Sequence, residues 1–205
     1  MCNKEKCTCT VCGCNTEVFI FDLDDTLLEC QVNYCRVIAD FITKVVNHFG
    51  RHTPHPVSIA EKQSKVDIDL IEKYGYQKQR FPQGLVETYK ELHFEIFHDE
   101  KYDKDFIKEL LDLGNSVYAV IPKEIPYAID LLENLKNQGK KLYILTAGDK
   151  EVQEHKIYNT SIHKYFPKDQ IFINGRKGIT EFEEVLNHIY QKYGHVKKEN
   201  IYMIG

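Results

Sequence analysis

Three aspartates directly follow a short apolar run in the segment VFIFDLDDTLL, from Val18 to Leu28. If this run is a strand that continues through the first carboxylates, Asp22 and Asp24 point the same way while Leu23 points the other way. Two carboxylates placed together repel unless a cation or a shared proton relieves them. Mg²⁺ accepts one or two carboxylates together with waters and phosphate oxygens. One carboxylate could then act as a nucleophile while the other transfers protons.

The same acidic segment has a simpler explanation as a turn or a helix cap, because Asp and Thr are favoured at both. For Asp25 we favour this local role. The placement of Asp22 and Asp24 directly after VFIF favours the chemical role for those two residues.

Strands and helices alternate in the C-terminal half of the chain. The run KLYIL predicts a strand over Lys141–Leu145, followed by a turn from Thr146 to Asp149. Around it the spacing predicts helices over 126–138, 150–159 and 180–193 and strands over 170–173 and 201–204. Such alternation indicates a parallel sheet covered by helices, to which the strand at 17–21 belongs. Ligands bind such sheets at the carboxyl ends of the strands, where Asp22 and Asp24 are expected.

The segment from Asn33 to about Val120 has helical periodicity instead. Apolar residues at spacings of three and four predict a first helix that ends at Gly50, and further helices are predicted over 58–73, 83–97 and 103–113. We therefore expect an all-helical insertion between the first strand and the rest of the sheet. The predicted domains are a Cys-rich tail (1–15), a core (16–30 and 121–205) and a helical insertion (31–120).

Composition excludes several classes of function. The 205 residues are 42% hydrophobic and carry a formal net charge of -4, so the chain can bury a core but offers no basic field to nucleic acid or an anionic membrane. No apolar run approaches the ~18 residues of a membrane span, and the polar opening lacks the centre of a secretory signal. A cytoplasmic protein without nucleic-acid or membrane partners is expected.

Five of the seven cysteines lie within the first fourteen residues. An odd total without a signal peptide argues against a disulfide framework. Four of these thiolates could hold Zn²⁺ or another soft metal, and a flexible thiol-rich tail is the alternative. The four are Cys7, Cys9, Cys12 and Cys14.

The segment FDLDDTL resembles the first signature of the haloacid dehalogenase superfamily of phosphohydrolases. Thr146 in LYILTAGD is similar to the second signature, Lys177 in RKGITEF to the third, and NIYMIG to the strand before the fourth. The helical insertion, with RFPQGLVETYKEL, is similar to the cap of many members. The resemblance spans about Glu17 to Gly205 and implies a Rossmann-like core with an inserted, mobile helical cap.

The resemblance also implies a role for each matching residue. Asp22 would attack phosphorus to form an aspartyl-phosphate, and Asp24 would protonate the leaving oxygen and then deprotonate water. Thr146 and the backbone at Ala147 would bind phosphoryl oxygens, and Lys177 would neutralise their charge. Asp22 and Asp24 would hold Mg²⁺. The implied activity is a Mg²⁺-dependent phosphatase acting on a small phosphorylated metabolite.

Several alternatives stay open. Thr146 could be an N-cap, and Lys156 and Lys164 are rivals of Lys177. The family's fourth signature continues into a metal-binding aspartate, whereas this sequence stops at Gly205. The 205-residue chain is therefore expected to bind metal weakly, and a non-catalytic binding or regulatory module is an alternative. A phosphomutase or phosphonatase shares the same core, while an acid at Asp24 disfavours dehalogenation.

Two further groups of residues have competing interpretations. His52 and His55 could bind metal but are more typical of a solvated loop. Four aromatic residues of the helical insertion could contact substrate, although internal packing is more usual: Tyr74, Tyr76, Phe81 and Tyr89.

Overall fold

The computed structural model describes residues 15–205, which divide into two compact units. One unit contains the chain up to Cys30 together with Pro122–Gly205, and the other is Gln31–Ile121. Within the described range, no helix combines the length and the apolar character needed to cross a membrane. In chain order the elements are β1 (Val18–Phe21), β2 (Leu28–Glu29), α1 (Gln31–Phe49), α2 (Pro56–Tyr74), α3 (Arg80–Phe97), α4 (Lys104–Ser116), β3 (Lys123–Glu124), α5 (Ala128–Asn137), β4 (Lys141–Ala147), α6 (Lys150–Tyr158), β5 (Ile171–Asn174), α7 (Ile179–Tyr193) and β6 (Ile201–Ile204).

The first unit is built on a parallel sheet with strand order β5-β4-β1-β6. Val18 pairs with Lys141 on one side and with Ile201 on the other, so β1 lies in the interior of the sheet. The predicted α/β class, a parallel sheet with flanking helices and a helical insertion, is confirmed. A short antiparallel ladder of β2 and β3 was not predicted, because two residues a strand give no readable alternation.

Helices cover both faces of this sheet, which explains why its central strands are apolar throughout. On one face Phe21 and Ile144 pack with Ile157 of α6. On the other face Ile20 packs with Val185 of α7. The helices α6 and α7 therefore reach the carboxyl ends of the strands from opposite sides of the sheet.

The second unit contains the four helices α1–α4 and no strand, as predicted for the insertion. Its core includes Phe81 and Tyr89, both fully buried. Among the candidate substrate contacts, these two thus serve the packing of their own unit, whereas Tyr74 and Tyr76 are partly exposed. The Nδ1 atom of His55 accepts a hydrogen bond from the backbone N–H of Val57 and caps α2.

Candidate active site

The first two candidate residues follow β1 at the carboxyl edge of the sheet. The backbone N–H of Asp22 continues the ladder by donating to the carbonyl of Ile204, at 2.8 Å. The chain then turns sharply at Asp25, which has a left-handed φ of 56°. The Asp25 carboxylate accepts a hydrogen bond of 3.0 Å from the backbone N–H of Cys30. Its predicted local role is confirmed, because this bond closes the turn.

Asp22 faces Lys177, which lies in the loop between β5 and α7. The Nζ atom of Lys177 is 2.5 Å from Oδ2 of Asp22. The other oxygen, Oδ1, accepts a hydrogen bond of 2.7 Å from the backbone N–H of Leu23. The carboxylate is thus held in place by one backbone donor and one cation.

Asp24 has its own cation, supplied by α6. The Nζ atom of Lys156 lies 2.9 Å from Oδ1 and 2.8 Å from Oδ2 of Asp24. The Nε2 atom of Gln153 donates to Oδ2 at 3.2 Å, and the Cys30 thiol donates to Oδ1 at 3.2 Å. Burial, reinforced by the charge of Asp24, raises the pKa of the Cys30 thiol, so that it stays protonated and acts as a donor.

Thr146 lies within β4, which ends at Ala147, two residues beyond the predicted end of that strand. The ladder with β5 continues until Ala147 pairs with Asn174, which corrects the predicted turn at these residues. Thr146 is buried, and its Oγ1 accepts a hydrogen bond of 2.9 Å from Nε2 of Gln153. The N-cap of α6 is Asp149, so the alternative of Thr146 as an N-cap is wrong.

The structure therefore brings the predicted residues together in two groups. Asp22 and Lys177 are in direct contact. Thr146, Ala147 and Asp24 share the amide of Gln153, whose Nε2 is also 3.1 Å from the Ala147 carbonyl oxygen.

Sequence reasoning missed part of this site. It indicates Lys156 only as a rival of Lys177, and it gives no sign of Gln153. The available signal is their i, i+3 spacing, which puts both polar side chains on one face of α6. Both are almost fully buried, with 8% of Lys156 and 1% of Gln153 exposed. The approach of this face to the sheet edge depends on tertiary packing, which the spacing does not reveal.

Oxygen ligands for a divalent cation are present at this edge. The described residues contain no group of three or more His, Cys, Asp or Glu side chains that could hold a metal. Mg²⁺ needs fewer protein side chains than this, because it keeps several bound waters and takes phosphate oxygens from its substrate. Both carboxylate oxygens of Asp24 contact Lys156, and those of Asp22 contact Lys177 and the backbone N–H of Leu23. A cation here would take the Asp22 carboxylate as a ligand in exchange for part of its contact with Lys177, and would take Asp24 through its main-chain carbonyl. The four cysteines proposed for Zn²⁺ lie outside the described residues.

This chain was compared with protein-family models and with curated proteins. The family model described as "Hydrolase: haloacid dehalogenase-like hydrolase" matches residues 16–205. The search of curated proteins finds no match.

Three solved structures illustrate the similarity of fold. A haloacid dehalogenase-like family hydrolase from Xanthomonas campestris is 19% identical, with a TM-score of 0.69 over 92% of this chain and 72% of its own. YfnB from Bacillus subtilis, solved with bound magnesium, is 18% identical, with a TM-score of 0.54 over 92% and 78%. A predicted phosphoglycolate phosphatase from Haemophilus somnus is 15% identical, with a TM-score of 0.50 over 92% and 76%.

Proposed function

Because this chain belongs to the haloacid dehalogenase-like hydrolases, we propose that it is a Mg²⁺-dependent phosphatase of a small phosphorylated metabolite. The observation that carries the proposal is the approach of Lys177 to Asp22 at the sheet edge that also bears Asp24 and Thr146. The magnesium bound to YfnB and the phosphatase name of the Haemophilus somnus protein support the same choice.

In this proposal Asp22 is the nucleophile. One oxygen of its carboxylate attacks phosphorus while the bond between phosphorus and the leaving oxygen breaks, which gives an aspartyl-phosphate and an alcohol. Lys177 offsets the charge that builds up on the phosphoryl oxygens, and the Thr146 hydroxyl donates to one of them. Mg²⁺, held by the Asp22 carboxylate and the Asp24 carbonyl, would supply further charge stabilisation when bound.

Asp24 serves as the proton-transfer group in both halves of the reaction. It gives a proton to the leaving oxygen, and as a carboxylate it then takes a proton from the water that hydrolyses the aspartyl-phosphate. Lys156 contacts both carboxylate oxygens of Asp24, so its ammonium group lies beside the atoms that give and take this proton. The proton taken from water leaves Asp24 ready to protonate the next leaving oxygen once the phosphate has left the site.

The proposal is tested with p-nitrophenyl phosphate and Mg²⁺. We expect the wild-type chain to release p-nitrophenolate, to lose activity in EDTA and to regain it on adding Mg²⁺. Asp22→Asn should lower kcat by roughly 10³-fold or more, because the nucleophile is removed. Asp130→Asn, at an exposed aspartate of α5, is the matched control and should change kcat less than about twofold. Activity retained in Asp22→Asn would contradict the mechanism.

A phosphate-binding module without turnover is the second candidate. The observation that favours it is the occupation of both Asp24 oxygens by Lys156, which competes with a proton for the same atoms. Calorimetric titration with inorganic phosphate distinguishes the two candidates. Binding of phosphate with Mg²⁺ present, together with no hydrolysis by the wild-type chain, would favour the binding module.

A further inference from the structure

The side chain of Gln153 is the only group described above that contacts both Thr146 and Asp24. We propose that Gln153 is a positioning residue, which fixes the Thr146 hydroxyl and the Asp24 carboxylate in one arrangement, and that Gly148 leaves the space in which it does so. This inference rests on the proposed phosphatase function, since it assigns the two groups their roles in that reaction.

The acceptors around the amide determine which way it faces. The Asp24 carboxylate and the Ala147 carbonyl can only accept hydrogen bonds, so the NH₂ end of Gln153 must point toward them. Its two hydrogens are shared among three acceptors, at 2.9 Å from Thr146 Oγ1, 3.1 Å from Ala147 O and 3.2 Å from Asp24 Oδ2. The amide oxygen is buried and has no hydrogen-bond partner among the described residues. The amide is therefore placed to donate.

Donation by Gln153 also decides what the Thr146 hydroxyl can do. A hydroxyl has one hydrogen and can either donate or accept along a given direction. Because Thr146 Oγ1 accepts from Gln153, its hydrogen is directed elsewhere and stays available for a phosphoryl oxygen. The same amide holds one oxygen of Asp24. The Thr146 hydroxyl, which donates to the phosphoryl group, and the Asp24 carboxylate, which transfers the proton, therefore keep a fixed separation.

The close approach of Gln153 to Gly148 is a second, independent observation that supports the positioning role. A Cβ atom at this position would lie 2.7 Å from Cγ and 2.8 Å from both Cδ and Nε2 of Gln153. The backbone of Gly148 is not among those with positive φ, so alanine can adopt its conformation. Alanine would therefore act through its contact with Gln153, which is a flexible side chain and would be pushed away from its acceptors.

Lys156 complements this arrangement from the next turn of α6. Its ammonium group contacts both oxygens of Asp24 and supplies the opposite charge. The neutral amide of Gln153 is then free to set geometry rather than charge. Removing the amide should leave the charge balance of the site intact while loosening the positions of two reacting groups.

The test compares three variants with p-nitrophenyl phosphate and Mg²⁺. Gln153→Met keeps the length of the side chain but removes the donor, and Gly148→Ala displaces the unmodified Gln153. Both should lower kcat by about 10- to 100-fold, with KM changed less than about threefold, because misplacement of reacting groups acts on the chemical step. Gly175→Ala is the matched control, since its Cβ would meet none of the described atoms within 4 Å, and it should retain wild-type kcat.

A purely structural role for Gln153 would give a different pattern. It would lower the thermal unfolding midpoint and the amount of folded protein while leaving kcat per folded molecule unchanged. That result, or a Gly148→Ala variant with the kinetics of Gly175→Ala, would overturn the inference.

A crystal structure of Gln153→Met separates the inference from the proposed function. If the wild-type chain hydrolyses nothing, the proposed function fails, and the structure still shows whether Gln153 positions its neighbours. Displaced Asp24 and Thr146 side chains would support the positioning role. Side chains that stay within their wild-type places would overturn it.

Discussion

Replacement of Gly114 by alanine should destabilise the helical unit, because α4 crosses α3 at this residue with no room for a methyl group. A Cβ at Gly114 would lie 2.5 Å from Cα and 2.9 Å from Cβ of Pro82. Carbon atoms prefer a separation of about 3.5–4.0 Å, so the helices must part locally by roughly 1 Å. The obstacle is backbone, which cannot rotate away as a side chain could. Overpacking of this kind costs about 1–3 kcal/mol.

Helix propensity opposes this cost. Alanine is favoured over glycine inside a helix by about 1 kcal/mol, so the net destabilisation should be about 1–2 kcal/mol when the overpacking lies toward its upper limit. In a chain of this size each kcal/mol shifts the unfolding midpoint by about 2–4 °C. Gly114→Ala should therefore unfold several degrees below the wild type.

Gly84 provides the matched control within the same unit. A Cβ there would lie 3.5 Å from Cδ1 of Leu70 and 3.7 Å from Oδ1 of Asp67, which are ordinary contacts. Gly84→Ala should thus show the propensity gain alone and raise stability by up to about 1 kcal/mol. Urea and thermal unfolding of the full chain, followed by circular dichroism at 222 nm, measure both effects. If the unfolding midpoints of Gly114→Ala and Gly84→Ala shift equally and in the same direction, the close approach of α3 and α4 is refuted as the cause.

Two further predictions concern titrating groups. Because burial first, and Asp24 second, raise the pKa of the Cys30 thiol, iodoacetamide at pH 8 should alkylate the exposed Cys35 and spare Cys30, as read by peptide mass spectrometry; equal labelling would contradict this. Hydrogen bonds from Ser161 lower the pKa of Glu124 below its ordinary 4.5, so its contribution to stability is present above that pH and is lost as the pH falls through the lowered value. The urea midpoint of Glu124→Gln should differ from wild type at pH 7 and converge with it toward pH 3, and a constant difference would argue against the assignment.

The sequence predicts the sheet well because its strands are apolar on both faces and are separated by helices with clear periodicity. It does not predict where a strand ends when pairing extends it. The sequence places Thr146 and Ala147 in a turn, but both join β4 because β5 runs alongside them. The same limit applies to the ladder of β2 and β3, which exists through a contact between Leu28 and Glu124 that are far apart in the chain.

The candidate site shows the same division between local and tertiary information. Asp22 and Lys177 are indicated by motifs, and the structure places them in contact. Gln153 and Lys156 lie in a helix whose polar residues would be expected to face solvent. Burial of that face against the sheet edge brings both side chains into hydrogen-bond contact with Asp24. This contact depends on how α6 packs and not on any motif.

The two neighbouring carboxylates raise an electrostatic problem, because like charges placed close together repel. Asp22 is paired with a lysine that precedes α7, and Asp24 with a lysine within α6. Each carboxylate is therefore compensated by a lysine of its own. The positive charges of the two lysines offset the repulsion between the carboxylates. Separate compensation lets one carboxylate stay a nucleophile while the other exchanges a proton, which is the division of labour that the proposed reaction requires.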